Sequence, residues 1–270
     1  MILFAHRCQF AACVRYFSVV FVLLLGTPAA AQSCRQALVL ALDVSGSVDN
    51  AEYMQQIDGL AFALNTPEVR DLILFGAADP ISLVVFEWSS QNHQYVIQPW
   101  ITLRSDADLD LAIANIGRHR KVRAGLKTAM GTALGFAEAL LAEKQHCWRQ
   151  TVDISGDGKN NIGADPKQVY LRQAFDRITV NALVVSDPRV AAGEVRGISP
   201  LALADYFATD VIHGPDAFTV IANGYPDFAD AMRRKLIREL SPLGLSFDAP
   251  APLDFLRIAD HRQIARRQLD

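Results

Sequence analysis

Between Gln36 and Asp43 the chain reads Gln-Ala-Leu-Val-Leu-Ala-Leu-Asp, an almost unbroken apolar run ending on an acid. A strand with one wet face alternates apolar and polar residues. This run does not alternate, so both of its faces need cover, as in the central strand of a parallel sheet packed between helices. The rest of the chain supplies the other layers. A helix is expected from Asp49 to Leu64, with Tyr53, Ile57, Leu60 and Leu64 at helical spacing. Ile81 to Trp88 and His93 to Leu103 read as strands, and the short polar link between them predicts an antiparallel edge pair. Helices are expected over Asp106 to Ile116 and Thr128 to Glu143, with a polar, basic loop from Gly117 to Lys127. Thr151 to Ile154 reads as a strand, Pro166 to Arg177 as a helix and Ile178 to Val185 as a strand. After a loop from Asp187 to Pro200 come a helix from Leu201 to Thr209, a strand from Ala217 to Ala222, and a helix from Tyr225 to Leu240 closed by Pro242. Strands alternating with helices predict an α/β fold, a doubly wound, mostly parallel central sheet with one antiparallel edge strand and helices on both faces.

The ends of the chain read differently. Arg7 and Arg15 precede an apolar stretch from Phe17 to Leu25, followed by Gly-Thr-Pro-Ala-Ala-Ala to Ala31. A positive start, a short apolar stretch and a small-residue site are the pattern of a secretory signal over residues 1–31, removed after Ala31. The apolar stretch is short for a membrane span, and an uncleaved N-terminal anchor is the alternative. No second apolar stretch follows, so no transmembrane segment is expected in the mature chain. Residues 1–31 hold two Arg and no acid, so their loss takes the net charge from −3 to −5. With a pI near 6.1 and no basic stripe, nucleic acid is not an expected partner. Residues 241–270 start with Pro242, Pro250 and Pro252 and form an expected tail, with a short basic amphipathic helix from Leu253 to Arg267.

The chemistry concentrates in Asp43-Val44-Ser45-Gly46-Ser47, between a buried strand and a helix. Ligands of open α/β sheets sit at the carboxyl ends of strands. Asp43 places a carboxylate there, and Ser45 and Ser47 can turn their hydroxyls to the same point if Gly46 lets the chain curl. One carboxylate with neutral hydroxyls and water suits a hard cation such as Mg²⁺. The same five residues also read as a helix cap, with Ser47 or Asp49 bonding free backbone N–H groups. Two further segments bear on the choice. Thr128 opens Thr-Ala-Met-Gly-Thr-Ala-Leu at a helix start, and Asp157 lies in Ser-Gly-Asp-Gly after a strand.

These three segments, in this order, resemble the von Willebrand factor type A family and its metal-ion-dependent adhesion site, over residues 35–240. The resemblance implies a Rossmann-like sheet and a metal held by Asp43, Ser45, Ser47, Thr128 and Asp157, with Mg²⁺, or Mn²⁺ or Ca²⁺, as the ion. One coordination position stays open for an Asp or Glu of a partner protein. A narrower resemblance rests on Asp153-Ile-Ser-Gly-Asp-Gly158 with Asn160-Asn161, on Tyr206, Val211-Ile212, Gly214-Pro215 and Ala217-Phe218, and on Arg234-Lys235-Leu236. These look like an exported bacterial family labelled only as a domain of unknown function. Lys127, beside Thr128, departs from the small residues usual there; its side chain either weakens the ion or, as favoured, points outward. Asp153, in an apolar strand, is expected to pair with a basic group, or else to support Asp157. In the fold so implied, the strands ending at Asp43 and Asp157 are parallel neighbours. Cys34 lies nine residues before the first and Cys147 ten before the second, so the thiols meet at one height on strands ~4.8 Å apart, and a disulfide is expected. Two buried free thiols are the alternative.

Other sites are not found. The histidines have no zinc-ligand spacing, no Gly-x-Ser-x-Gly elbow is present, and Gly125-Leu-Lys-Thr128 lacks the glycines of a phosphate loop. Trp88, Trp100 and Trp148 read as core or rim. The expected function is therefore an exported, periplasmic or secreted metal-dependent protein-binding module, not an enzyme. A metal-dependent hydrolase at the same site and a structural domain with an empty site are the alternatives.

Overall fold

A computed structural model describes residues 33–122 and 124–241. The expected signal and the tail after Ser241 lie outside the described residues. The elements run β1 (Gln36–Asp43), α1 (Asn50–Asn65), α2 (Pro67–Leu74), β2 (Ile81–Trp88), β3 (Gln94–Leu103), α3 (Asp106–Arg118) and α4 (Met130–Ala142). They continue with β4 (Arg149–Gly156), α5 (Pro166–Val169), β5 (Ile178–Ser186), α6 (Pro188–Ala191), α7 (Pro200–Tyr206), β6 (Thr219–Asn223) and α8 (Phe228–Leu240). The sheet order is β3-β2-β1-β4-β5-β6. All pairs are parallel except the edge strand β3, which runs antiparallel to β2. Pro99 sits in this edge strand, where a missing N–H is tolerated.

Every residue of β1 is buried. Leu38, Leu40 and Leu42 face a core shared with α1, α2, α3 and α8. Ala37, Val39 and Ala41 face the other core, shared with α4, α5 and α7. Larger side chains thus fill one face, and small ones let α4 approach the other.

Four expectations change in detail. The stretch after Asn65 forms α2, whose Pro67 opens the helix while Val69 and Ile73 are buried. The helix expected over Pro166 to Arg177 breaks into α5 and a 3₁₀ turn, because Arg172 adopts an extended conformation that carries the chain to the buried Phe175. The helix expected over Leu201 to Thr209 is the short α7 running into a π turn over Phe207–Val211. Within the expected loop after Asp187 lies the short α6, capped by Asp187. Of the tryptophans, Trp88 is core while Trp148 is exposed.

Two polar features are buried in this frame. Cys34 and Cys147 form a disulfide with Cα atoms 4.5 Å apart, at the edge of the sheet opposite Asp43. On the α8 side, Asp153 of β4 meets Lys235 of α8 in a fully buried ion pair. One helical turn on, Glu239 accepts hydrogen bonds from Gln36 (2.9 Å) and Asn181 and lies 3.5 Å from Arg149. Burial raises the Asp153 carboxyl to about 7, and the charge of Lys235 opposes the shift. Asp153 therefore pairs structurally, as its position in an apolar strand predicted.

Two consequences are measurable. Reducing the disulfide, which closes a separation of 113 residues, is expected to cost roughly 4–5 kcal/mol on the chain-entropy account, read as a lower urea midpoint with reductant. Lys235→Met is expected to cost roughly 3–5 kcal/mol by stranding Asp153, and adding Asp153→Leu to recover much of it. A double variant no more stable than the single one would contradict the pairing.

Candidate metal centre

The carboxyl ends of β1 and β4 carry two of the five expected ligands, and loops bring the rest. Asp43 is the last residue of β1 and is fully buried. Its Oδ1 accepts the Ser45 N–H at 2.8 Å, which curls the loop back on the strand end. Gly46 fits closely at the bend, where a Cβ would lie 3.0 Å from the carbonyl oxygen of Leu126. The curl leaves the Ser45 and Ser47 hydroxyls 3.3 Å apart. Thr128 Oγ1 is 3.4 Å from Ser45 Oγ, and Ser47 Oγ donates to Asp157 Oδ1 at 2.7 Å. Asp43, Ser45, Ser47, Thr128 and Asp157 therefore form one connected cluster, although they span more than a hundred residues of sequence. The helix-cap alternative for the serines falls to Asp49, which forms a reciprocal capping box with Glu52 and leaves both serine hydroxyls for the cluster.

Residues that the sequence reading did not assign hold this cluster. Gln56 donates to the Asp43 carbonyl at 3.0 Å and accepts from Ser155. Asn161 clasps Thr128: its Oδ1 accepts the Thr128 N–H at 3.0 Å and its own N–H donates to the Thr128 carbonyl. Asn160 Oδ1 accepts from Met130 N at 2.9 Å, capping a helix whose Ala129 has no capping side chain. The Asn160-Asn161 pair was visible in the sequence as part of a family pattern, without a role. Tyr225 donates to Asp157 Oδ2 at 3.3 Å, a link between the turn after β6 and the loop after β4 that no spacing in the sequence signals. Lys127 points outward, and the lysine near the site is instead Lys121, whose ammonium donates to the Val48 carbonyl at 2.6 Å.

Burial, and then the charge of Asp157, push the Asp43 carboxyl up to about 8. Asp157 is also raised, by burial, against hydrogen bonds from Ser47 and Tyr225. Lys121 favours the charged form of both but does not offset their burial. Asp43 Oδ2 is buried without a hydrogen-bond partner among the described residues. A buried carboxylate oxygen left unpaired is costly, and a cation bound there would offset that cost. The donor set is two carboxylates and three hydroxyls, all hard oxygens, which fits a divalent ion of the Mg²⁺ class. At the opposite edge, Cys34, His146 and Cys147 approach one another, but both sulfurs are consumed by the disulfide.

Comparison with known proteins bears on this geometry. A family model described as "Protein of unknown function (DUF1194)" matches residues 33–244. No curated protein matches the chain. Among solved structures, proximal thread matrix protein 1 from the mussel byssus is 16% identical, covering 77% of this chain and 48% of its own, with a TM-score of 0.53. A form of that protein with a zinc-occupied MIDAS motif aligns equally well. A von Willebrand factor type A structure from Catenulispora acidiphila is 16% identical, covering 77% of this chain and 43% of its own, with a TM-score of 0.51. The chain spans less than half the length of these structures. Their likeness shows the fold, which is of the von Willebrand factor type A kind.

A carboxyl whose pKa is higher in the folded than in the unfolded chain contributes stability at low pH that is lost as pH rises towards the folded value. Asp43 is such a group. In chelator, the melting temperature is expected to fall between pH 5 and pH 8.5, and Asp43→Asn to flatten the fall. A wild-type melting temperature that holds or rises over this range would contradict the described environment of Asp43.

Proposed function

The chain belongs to the family described as Protein of unknown function (DUF1194), and from that premise we propose that it is an exported, divalent-metal-dependent protein-binding module. The observation that carries the reading is the buried oxygen of Asp43, without a hydrogen-bond partner among the described residues, in a cluster of hydroxyl and carboxylate oxygens. In this reading Asp43, Ser45, Ser47, Thr128 and Asp157 hold an ion of the Mg²⁺ class, with Mn²⁺ and Ca²⁺ as alternatives. The bound ion supplies a Lewis-acidic position for a carboxylate. Asp43 and Asp157 offset its charge, and with three hydroxyls they make five donors, which leaves one position of an octahedral ion open. An Asp or Glu of a partner protein is the natural donor.

The surrounding groups serve that role by staying still. Asn161, Ser45 N–H, Gln56 and Tyr225 fix the ligand-bearing loops, so little conformational freedom is left to lose when a partner arrives. Both carboxylates are engaged or buried, which favours a held ion over the activation of water. Export is supported by the disulfide, which persists in oxidising compartments. Residues 1–31 as a cleaved signal, 35–240 as the binding domain and 241–270 as a tail complete the proposed organisation. Among the described residues no helix is long and apolar enough to cross a membrane.

The test is calorimetry with Mg²⁺ and Mn²⁺, joined to capture of a partner from the compartment of export. Binding of a single ion is expected, tighter at pH 8 than at pH 6 because protons compete at Asp43. EDTA, Asp43→Ala and Thr128→Ala are each expected to abolish capture while the disulfide and the cooperative unfolding transition remain. Capture that survives all three would overturn the proposal.

A further inference from the structure

Beside the loop that carries Ser45 and Ser47, one apolar side chain stands in solvent. Leu126 is 81% exposed. Single exposed leucines are common on surfaces and by themselves mean little. This one differs in how it is held. Its backbone lies against Gly46, the residue between the two serines, close enough that a Cβ on Gly46 would touch the Leu126 carbonyl oxygen at 3.0 Å and its Cδ2 at 3.2 Å. The loop that presents it is pinned at successive residues. Gly125 N–H donates to Ser89 Oγ (3.0 Å), Lys127 N–H to Ser90 Oγ (3.1 Å), Thr128 N–H to Asn161 Oδ1 (3.0 Å) and Ala129 N–H to the Ser89 carbonyl (2.8 Å). Gly125 is wedged so tightly against Ser90 that a Cβ would fall 2.0 Å from its Oγ. A leucine on a backbone already held in this way costs a partner less loop-ordering entropy than one on a free loop.

The charges around the site are arranged unevenly. Lys127 and Lys159 are both exposed, and each lies within two residues of a proposed ligand, Thr128 and Asp157 respectively. Lys159 holds its ammonium 5.2 Å from the Tyr206 ring. Lys121 adds a third positive charge near Asp43 and Asp157. Shortly after Ser47 come the acids Asp49 and Glu52 of the α1 capping box. Exposed lysines and an apolar side chain therefore adjoin Thr128 and Asp157 in the chain, and two acids follow Ser47.

We infer that the partner presents an acidic segment in which the ion-binding Asp or Glu has an aliphatic or aromatic neighbour that packs on Leu126 and a second acid directed towards Lys127 and Lys159. This rests on the proposed metal-dependent binding and names the chemistry of its ligand.

The test uses immobilised decapeptides of Gly and Ser containing one Asp or Glu. Sets with and without Leu, Ile or Phe one to three residues from the acid, and with and without a second acid, are probed with the full chain, disulfide intact, in Mg²⁺ and in EDTA. Calorimetry with Mg²⁺ alone runs in parallel. Apolar-flanked acids are expected to bind at least about fivefold more strongly than unflanked ones, and only in Mg²⁺. Leu126→Ser is expected to erase that preference with Mg²⁺ affinity unchanged. Lys127→Glu combined with Lys159→Glu is expected to erase the gain from the second acid. Mg²⁺ binding with equal signals from flanked and unflanked peptides, or with a preference that Leu126→Ser leaves intact, would overturn this inference and leave the metal site standing. So would Mg²⁺ binding with no Mg²⁺-dependent signal from any peptide. Absence of Mg²⁺ binding would overturn the metal site itself and the inference with it.

Discussion

A strand buried on both faces needs two helical layers, and β1 is the place where that demand is met. Leu38, Leu40 and Leu42 fill one layer against α1 and α8, while Ala37, Val39 and Ala41 admit α4 on the other. Because the strand must sit at the centre, its neighbours are β2 and β4, both parallel to it. The consequence at one edge is that Asp43 and Asp157 arrive side by side. The consequence at the other is that Cys34 and Cys147 do so too. One register, imposed by apolar burial, thus determines both the candidate site and the covalent staple opposite it.

Two buried carboxylates in neighbouring strands show how differently a fold can treat the same group. Asp153 faces α8 and receives the ammonium of Lys235, so its charge is answered within the chain. Asp43 faces the loop cluster and receives one backbone N–H on Oδ1, while Oδ2 has no partner among the described residues. Lys121, the lysine that approaches, donates to the Val48 carbonyl and makes no hydrogen bond to Asp43 among the described residues. One interior acid thus meets a countercharge from the chain itself, and the other meets none at comparable range among the described residues. The pinned loops around it, from Ser89 and Ser90 to Asn161, keep the cluster in shape.

Much of this was readable along the chain. The bounds of β1 and β2 follow from their apolar runs, and the antiparallel edge strand follows from the short polar link before it. Pattern reading faltered where the local signal was weak or divided. The helix α2 was missed although Pro67 stands at its first turn with Val69 and Ile73 a turn apart, because eight residues give little periodicity to detect. The stretch from Pro166 to Arg177 has helical composition, yet burying Phe175 turns the backbone at Arg172. Nearness in sequence also misdirects. Lys127 adjoins Thr128 and points away, whereas Lys121, six residues earlier, comes to the site because its loop folds over Val48.

The amino-acid sequence by itself determined the layered α/β plan, and its resemblance to the von Willebrand factor type A family pointed to the five oxygen-bearing side chains and the two cysteines, because periodicity, motif and chain order are local properties that survive without coordinates. Which groups steady those five, and which of them is left uncompensated, was decided only by the tertiary structure. Tyr225 reaching Asp157, Gln56 bridging Asp43 and Ser155, and the unpartnered oxygen of Asp43 all depend on side chains from distant segments meeting at hydrogen-bond range. No spacing rule encodes such meetings, since they arise from how whole layers pack and not from where residues stand in line.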